Sequence, residues 1–174
     1  QQALQALVDR HDAFRSTFSA DGTIIFINKS VEISTPFVDL ADLPADERKA
    51  ALQKILDTEV ETPFDLEHGP LVRAHIIKLA EASFRLIFTA HHSVCDGWSM
   101  SCAIRDLGKL YSAASGNVAV ELAEPYKFSD YALLEQDEIH NKTNQAAEAY
   151  WLDLYADGAP TTDLPTDRAR PLLR

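Results

Sequence analysis

Two adjacent histidines, followed closely by an aspartate and a glycine, form the part of this 174-residue chain best suited to chemistry. The segment is His91-His92-Ser93-Val94-Cys95-Asp96-Gly97. Histidine is the side chain whose unperturbed pKa lies nearest neutral pH, so it serves most often as a general base. The segment follows an apolar run typical of a buried strand, and a side chain at the end of such a strand is both held in place and open to a substrate. The pattern therefore predicts proton-transfer chemistry.

Alternation along the predicted strand separates the two histidines. With a period of two, Phe84 and the even-numbered residues up to His92 share one face, whereas Arg85 and the odd-numbered residues up to His91 share the other. We therefore expect the two imidazoles to point in opposite directions. A histidine that leaves a buried strand in this way suits the role of a general base.

Asp96 and Gly97 close the segment. An acidic side chain in the turn before a glycine is suited to pairing with a nearby arginine, which would fix the shape of the turn. Glycine lacks a Cβ atom, so Gly97 would let a ligand approach the backbone closely. Two histidines at the end of a strand are also common as structural residues, and the local pattern alone leaves that alternative open.

Metal binding is a second alternative, because His91, His92 and Asp96 are all potential ligands. Adjacent strand residues diverge, however, so one ion does not easily reach both imidazoles, and we expect no metal. A nucleophilic triad is the weakest alternative, since the sequence has no Gly-x-Ser-x-Gly elbow and no evident neighbour that would stabilise a thiolate. Its candidate nucleophiles are Ser93, Cys95 and Ser99.

Composition and charge limit the classes of function. The chain has 27 acidic and 16 basic residues and a formal net charge of −11, so it would repel a phosphate backbone and an anionic membrane surface. We expect neither nucleic acid nor a membrane as a partner. The sequence shows no apolar stretch of the roughly 18 residues that span a membrane and no signal-peptide pattern, which predicts a cytoplasmic protein. Cys95 and Cys102 are predicted to pack in the core.

The N-terminal part of the chain predicts a helix and a hairpin. Apolar residues at helical spacing indicate a helix over residues 4–14. The strand-like residues 23–27 follow a turn at Asp21-Gly22. Residues 31–38 are predicted to pair with this strand across residues 28–30.

The middle of the chain predicts a helix followed by two strands. The helix begins at Pro44, has acidic residues in its first turn and ends before Pro63. Two apolar runs, residues 71–79 and 84–92, predict adjacent antiparallel strands near the centre of a sheet. The apolar face predicted for the helix consists of Ala51, Leu52, Ile55, Leu56 and Val60.

A further helix is predicted after Gly97, which makes the central unit a strand, a histidine turn and a helix. Residues 117–127 predict a loop, and residues 128–139 and 143–155 predict two more helices. The tail from Leu164 is expected to be extended, because prolines interrupt it. The apolar stripe of the helix after the histidine turn consists of Trp98, Ile104, Leu107, Leu110, Tyr111 and Ala114.

The histidine segment, extended by Trp98 and Ser99, resembles the H-H-x-x-x-D-G-W-S motif of condensation domains from nonribosomal peptide synthetases. Three further segments match that family in its order. Residues 10–18 resemble its R-H-E-x-L-R-T-x-F segment, and residues 164–171 its L-P-T-D-R-x-R-P segment. Residues 126–132 resemble its Y-x-D-Y-A segment with one extra residue. Four ordered matches are far more specific than one short motif.

The resemblance implies an α+β fold, a chloramphenicol acetyltransferase-like lobe in which a mixed, mostly antiparallel sheet is flanked by helices. The family's domain is longer and has two lobes, and its first motif precedes the arginine-histidine segment. We therefore expect residues 1–174 to be a partial condensation domain, namely the N-terminal lobe without the first motif and without the C-terminal lobe. Such a fragment is expected to be inactive by itself.

The resemblance also implies peptide-bond formation. In that family, the amine of a carrier-tethered aminoacyl acceptor attacks the thioester of a carrier-tethered acyl donor during nonribosomal peptide or hybrid polyketide-peptide biosynthesis. The substrates arrive on the 4′-phosphopantetheine arms of upstream and downstream carrier proteins, so the domain itself is expected to bind no cofactor. The expected partners are these carrier proteins and the missing C-terminal lobe.

Roles for individual residues follow from the same resemblance. His92 matches the family's catalytic histidine, and His91, which faces away, is expected to be a hydrogen-bonded support. Asp96 is expected to pair with Arg15 of the arginine-histidine segment. Trp98 is expected to pack, since an indole buries a large area. The full supporting set is Arg15, His91, Asp96, Gly97, Trp98 and Ser99.

Several alternatives stay open beside this assignment. Other H-x-x-x-D-G acyltransferases share only the short motif, and epimerisation domains usually lack its Gly-Trp-Ser continuation. A non-catalytic docking or scaffold lobe is the alternative from another class, because a degenerate domain can keep these residues for folding. A lobe without its partner would expose an apolar face, through which we expect self-association. No role is expected for His11, His68, His75 and His140.

Overall fold

The computed structural model describes residues 1–116, 121–139, 142–160, 165 and 167–169. The chain divides into two compact units, Gln1–Ser129 and Asp130–Arg174. The first unit contains the sheets and three helices, and two further helices follow along the chain. The fold is therefore α+β, as predicted.

The elements of the first unit begin with helix α1, a short 3₁₀ turn and three short strands. Their bounds are α1 Gln2–Arg10, the 3₁₀ turn Asp12–Arg15, β1 Ser16–Phe18, β2 Ile25–Ile27 and β3 Phe37–Asp39. Helix α2, the two longest strands and helix α3 come next. Their bounds are α2 Ala45–Glu61, β4 Val72–Ala80, β5 Ser83–Ala90 and α3 Gly97–Ala114.

Strands β3, β4 and β5 form one sheet with β4 in the middle. β3 runs parallel to β4, with Val38 opposite Ile77, and β5 runs antiparallel to β4, with Phe88 opposite Ala74. The predicted mixed, mostly antiparallel sheet is thus confirmed. Within the described residues β5 is an edge strand rather than a central one.

The predicted hairpin exists with a different partner strand. β2 pairs with β1 and not with residues 31–38, so the predicted pairing is wrong. The turn before β2 explains this: Gly22 has a φ of 70°, and the Asp21 carboxylate accepts hydrogen bonds from Ser19 Oγ at 2.6 Å and from the Thr23 amide at 3.1 Å. These bonds, that from Ser19 first, lower the pKa of Asp21 to about 2. The chain has already reversed before residue 28.

The main core lies between helices α1 and α3 and one face of the sheet. Each large side chain fully buried there, such as Leu7 at 1% exposure, stabilises the fold by about 2 kcal/mol. Cys95 is part of this core, as predicted, whereas Cys102 is half-buried. The core consists of Leu4, Leu7, Val8, Phe14, Ile33, Val72, Ala74, Cys95 and Ala103.

Helix α2 begins and ends as predicted but turns a different last residue inward. Glu59 is 8% exposed, whereas Val60 is 86% exposed, so placing Val60 on the apolar face was wrong. The reason is that the last turn of α2 faces Arg73 and His75 of β4, and a carboxylate can bind both. The other residues of the predicted face are half-buried or exposed, and they are Ala51, Leu52, Ile55 and Leu56.

Helix α1 is shorter than predicted, because it ends at Arg10 rather than at residue 14. His11 has an extended backbone, with φ −104° and ψ 114°, and ends the helix. The 3₁₀ turn that follows buries Phe14, which packs edge to face against Phe88. An apolar residue at helical spacing therefore reaches the core through a different backbone conformation.

Helix α3 is confirmed, but its buried stripe differs from the predicted one. Ala103 and Asp106 are the fully buried residues of α3. Ile104 and Tyr111 are 62% and 68% exposed. Half-buried side chains complete the inward stripe, namely Met100, Leu107 and Leu110.

The predicted C-terminal helices are confirmed as α4 (Phe128–Ile139) and α5 (Lys142–Leu154). Residues 121–127 have no regular structure, in keeping with the predicted loop, and residues 117–120 lie outside the described residues. The predicted extended tail also lies mostly outside them. Across the described ranges, the structure has no helix of sufficient length and apolarity to cross a membrane.

Candidate active site at the histidine turn

The chain leaves β5 through a tight turn that is fixed at both ends. The His91 amide donates to the Leu71 carbonyl at 2.9 Å, and the Val94 amide donates to the His91 carbonyl at 3.0 Å. Val94 and Cys95 are buried and anchor the far side of the turn. His92 is therefore the second residue of a four-residue turn, and it is exposed. We call residues 91–94 the histidine turn.

His91 lies in different surroundings from His92. It is half-buried, and its ring meets Phe64 edge to face with the ring centroids 5.9 Å apart. Its Nδ1 atom lies 2.7 Å from Ser93 Oγ and accepts a hydrogen bond from the Ser93 amide at 3.2 Å. His91 is thus engaged by the fold through Nδ1, and His92 is the exposed imidazole of the turn.

Asp96 caps helix α3. Its Oδ1 atom accepts hydrogen bonds from the Ser99 amide and the Ser99 hydroxyl, both at 2.7 Å. These bonds, and more weakly the nearby charge of His92, lower the pKa of Asp96. A carboxylate is favoured at a helix N-terminus because the first backbone amides lack partners and the helix dipole is positive there.

Arg15 does not pair with Asp96, so that prediction is wrong for the part of the chain that the structure describes. The guanidinium of Arg15 pairs with Asp12 at 2.5 Å and donates to the carbonyls of Asn28 and Lys29. The carboxylate three residues earlier is the nearer partner, and Asp96 is already engaged at the start of α3. Arg15 Nε is buried without a hydrogen-bond partner among the described residues.

Trp98 and Gly97 leave the surface beside the turn open. Trp98 is 82% exposed, so the prediction that it packs is wrong for the described residues. It lies on a different stripe of α3 from the inward-facing Ala103 and Asp106. A Cβ atom added at Gly97 would meet nothing within 4 Å. The start of α3 is therefore open at Gly97 and Trp98.

The sequence reasoning missed a cluster on the α2 side of the sheet, which we call the Glu59 cluster. The Glu59 carboxylate accepts hydrogen bonds from Arg73 Nε at 3.2 Å and His75 Nε2 at 2.8 Å. Burial by itself would raise the pKa of Glu59, but hydrogen bonds from His75, Thr89 and Arg73 outweigh burial and lower it. The cluster binds the end of α2 to the middle strand.

A second missed cluster, the Asp106 cluster, joins α1 to α3. The Asp106 carboxylate lies 3.0 Å from Arg10 Nε and 3.1 Å from His11 Nε2. Burial would raise the pKa of Asp106, but Arg10 and His11 outweigh burial and lower it. Burial also lowers the pKa of His11, because Asp106 offsets only part of the desolvation. His11 and His75, to which no role was assigned, are thus both structural partners of buried carboxylates.

Sequence signals for these clusters exist, although they are weak. Arg73 and His75 alternate with apolar residues in a strand, so one face of the strand is polar. Asp106 follows Ala103 by three residues on the inward stripe of α3. Such positions indicate a buried charged side chain but do not identify the residue that pairs with it. Among the described residues, no three side chains of His, Cys, Asp or Glu gather as a metal site would require.

Comparisons with known proteins bear on the whole chain. The family model of the condensation domain matches residues 1–174. One of the linear gramicidin synthase proteins of Brevibacillus parabrevis is 36% identical over 100% of this chain, which is 2% of that protein. Phosphinothricin tripeptide synthetase PhsC of Streptomyces viridochromogenes is 33% identical over 98% of this chain, which is 16% of that protein. The chain therefore spans a small part of the curated relatives it matches.

Solved structures show the same fold. A mutant starter condensation domain of rhizomide synthetase RzmA superimposes with a TM-score of 0.83 and 25% identity, over 99% of this chain and 39% of that one. SgcC5 from Streptomyces globisporus superimposes with a TM-score of 0.78 and 26% identity, over 95% of this chain and 38% of that one. Because the family model matches all 174 residues, the chain belongs to the condensation-domain family.

Proposed function

We propose that residues 1–174 are the N-terminal lobe of a condensation domain that joins a carrier-tethered acyl donor to a carrier-tethered aminoacyl acceptor. The match covers about 38% of the chain of a solved relative, which supports a single lobe. The observation that carries the proposal is the exposed His92 on a turn whose other members are fixed by the fold. A second lobe would then complete the site, and the lobe alone would be inactive.

His92 would act on the acceptor amine. The amine nitrogen attacks the thioester carbonyl carbon, a C–N bond forms, and collapse of the tetrahedral intermediate breaks the C–S bond. An α-amino group has a pKa of about 8, so part of the acceptor is already neutral near pH 7. His92 would orient this amine and take its proton, which the departing thiolate finally receives. Holding two tethered substrates in place would supply much of the remaining rate.

Two neighbours of His92 suit this chemistry. Asp96 follows His92 by four residues and is held at the start of α3 by its hydrogen bonds with Ser99. Gly97 leaves open space at the start of α3, where a substrate arm could pass. Asp96 therefore acts through helix capping, and Arg15 is not needed for its placement.

The substrates would arrive on 4′-phosphopantetheine arms of upstream and downstream carrier proteins, and the lobe itself would bind no cofactor. Its second partner would be the C-terminal lobe of the same domain. An apolar cleft of about 430 Å³ lies between the start of α1, β5 and α3, with Phe84 57%, Leu86 44% and Tyr111 68% exposed. In the absence of the second lobe, we expect two copies of the chain to associate through such apolar surface.

The test is amide formation by a complete domain containing this chain, supplied with carrier-bound donor and acceptor. We expect His92→Ala to lower the single-turnover rate at least about 100-fold, which is the usual contribution of a general base. His68→Ala is the matched control, because His68 is also exposed and pairs only with Asp65 of its own turn among the described residues. An unchanged rate in His92→Ala would contradict the proposal and favour a scaffold lobe.

A further inference from the structure

Phe64 lies between an arginine of the Glu59 cluster and the histidine turn. The Arg73 guanidinium carbon lies 3.9 Å from the centre of the Phe64 ring. Phe64 also meets the His91 ring edge to face, at a centroid distance of 5.9 Å and an interplanar angle of 80°. One half-buried aromatic ring thus connects a fixed cation to the residue that begins the turn.

Four hydrogen bonds hold Arg73 in place. Its Nε donates to the Glu59 carboxylate at 3.2 Å, and its terminal nitrogens donate to the carbonyls of Glu59 at 3.1 Å, Thr62 at 2.8 Å and Pro63 at 3.2 Å. These carbonyls lie at and just beyond the end of α2, where a helix leaves acceptors unpaired. A guanidinium held at four points loses the rotamer freedom of a free arginine. It therefore presents a rigid surface to Phe64.

The hydrogen bonds of His91 define its tautomer. The Ser93 amide donates to Nδ1 of His91 at 3.2 Å, and Ser93 Oγ lies 2.7 Å from the same nitrogen. Nδ1 must then be unprotonated, and the neutral ring has its proton on Nε2. Because the ring of residue 91 binds the backbone of residue 93, it fixes the backbone of His92 between them.

We propose that Phe64 is a positioning residue for the reaction proposed above. Held by Arg73, it keeps the His91 ring in the orientation in which Nδ1 accepts the bond from the Ser93 amide. The histidine turn then presents His92 in a single geometry. This inference rests on the proposed role of His92. Without the aromatic ring, His91 would rotate and Ser93 would lose its acceptor, and displacement of a reacting group by about 1 Å can cost up to 100-fold in rate.

The first test reads the turn directly and needs no activity. In the ¹⁵N-labelled 174-residue chain, the imidazole nitrogen shifts of His91 report its tautomer. We expect the wild type and Phe64→Tyr to show the Nε2–H form. The control Phe37→Leu should show it too, since Phe37 is a half-exposed aromatic residue of β3 far from the turn in sequence. Phe64→Leu should show a mixture of tautomers and faster hydrogen exchange at the Ser93 amide.

A second variant keeps this test decisive if Phe64→Leu does not fold. Arg73→Lys keeps the charge but removes the planar, fourfold-bonded guanidinium, and it should loosen His91 in the same way. A single Nε2–H tautomer and an unchanged Ser93 amide in whichever variant folds would overturn the proposal.

The second test is kinetic and uses a complete domain. We expect Phe64→Leu to lower kcat roughly tenfold with little change in KM for either carrier substrate, and Phe64→Tyr to restore kcat. Phe37→Leu should keep the wild-type kcat. A large effect of His92→Ala with none from Phe64→Leu would overturn the positioning role alone. No effect of His92→Ala would overturn the proposed function, whatever the tautomer of His91.

Discussion

Two clusters of the same composition lie on opposite sides of the sheet. In the Glu59 cluster and in the Asp106 cluster, a carboxylate binds an arginine Nε and a histidine Nε2. Both carboxylates are buried, Glu59 at 8% and Asp106 at 5% exposure. The clusters differ in the part of the structure that each one contacts. The Glu59 cluster contacts the histidine turn through Phe64, whereas the Asp106 cluster holds α3, which begins shortly after that turn.

The difference indicates that the histidine turn and helix α3 are each held by a separate cluster. Buried ion pairs contribute little net stability compared with apolar packing, but removing one partner leaves a buried charge unpaired. Their value here is therefore in placement: on the proposal above, one cluster orients His91 through Phe64, whereas the other joins α3 to the end of α1. Substitutions in the two clusters should therefore have different effects.

The largest expected effect is a loss of stability from removing either carboxylate. Asp106→Ala leaves Arg10 and His11 without their carboxylate, and Glu59→Ala does the same to Arg73 and His75. Each should lower the free energy of unfolding by about 3 kcal/mol. Urea unfolding measures this loss, with the exposed Asp42→Ala as control.

The same two variants should differ at the turn. Glu59→Ala should change the tautomer of His91, because the Glu59 cluster reaches that ring through Phe64. Asp106→Ala should leave the tautomer unchanged. A changed tautomer of His91 in Asp106→Ala, measured by the same nitrogen shifts, would contradict the proposed difference between the clusters.

A smaller effect is expected from mild acid at the Asp106 cluster. Burial lowers the pKa of His11 below its ordinary value of 6.5, so the folded chain binds fewer protons at that residue than the unfolded chain. The stability present above pH 6.5 is then lost as the pH falls from 6.5 through the folded pKa of His11. His11→Gln should remove this loss from the unfolding free energy measured between about pH 7 and pH 5.

Glu59→Gln serves as the control for this loss. The pKa values of Glu59 and Asp106 are lowered from 4.5 and 3.8, so these carboxylates add their own losses only at more acidic pH. The decrease between about pH 7 and pH 5 should therefore persist in Glu59→Gln. Its persistence in His11→Gln would show that the Asp106 cluster is not its source.

The smallest effect is expected at Gly97, where α3 begins. Alanine there meets no atom within 4 Å and favours the helix, so Gly97→Ala should raise the unfolding free energy by up to about 0.5 kcal/mol. Amide formation should nevertheless slow if substrate passes over this backbone. Faster or equal turnover in Gly97→Ala, compared with wild type in the same assay, would show that the open space has no part in the reaction.

The parts of the structure that depend on nearby residues could be predicted from the sequence. Strand β5, the histidine turn and α3 follow from period-two and helical spacing on either side of Asp96 and Gly97. The bounds of α2 follow from Pro44 and Pro63. The different surroundings of His91 and His92 agree with simple alternation along the strand.

The parts that depend on distant partners could not be predicted. A glutamate on an amphipathic helix usually faces solvent, so the local pattern turns Val60 inward and Glu59 outward, which is the reverse of the structure. Asp96 could bind a distant arginine or the amides of its own helix, and the local cap prevailed. The hairpin was assigned to the wrong pair because Ser16–Phe18 is too short to show alternation.

One measurement tests the central claim, that His92 reacts and the rest of the turn presents it. It is a double-mutant cycle on the single-turnover rate of amide formation in a complete domain, with His92→Ala, Phe64→Leu and both together. We expect losses of at least about 100-fold and roughly tenfold for the single variants, and no further loss when Phe64→Leu is added to His92→Ala. Losses that multiply, or a normal rate in His92→Ala, would contradict the account.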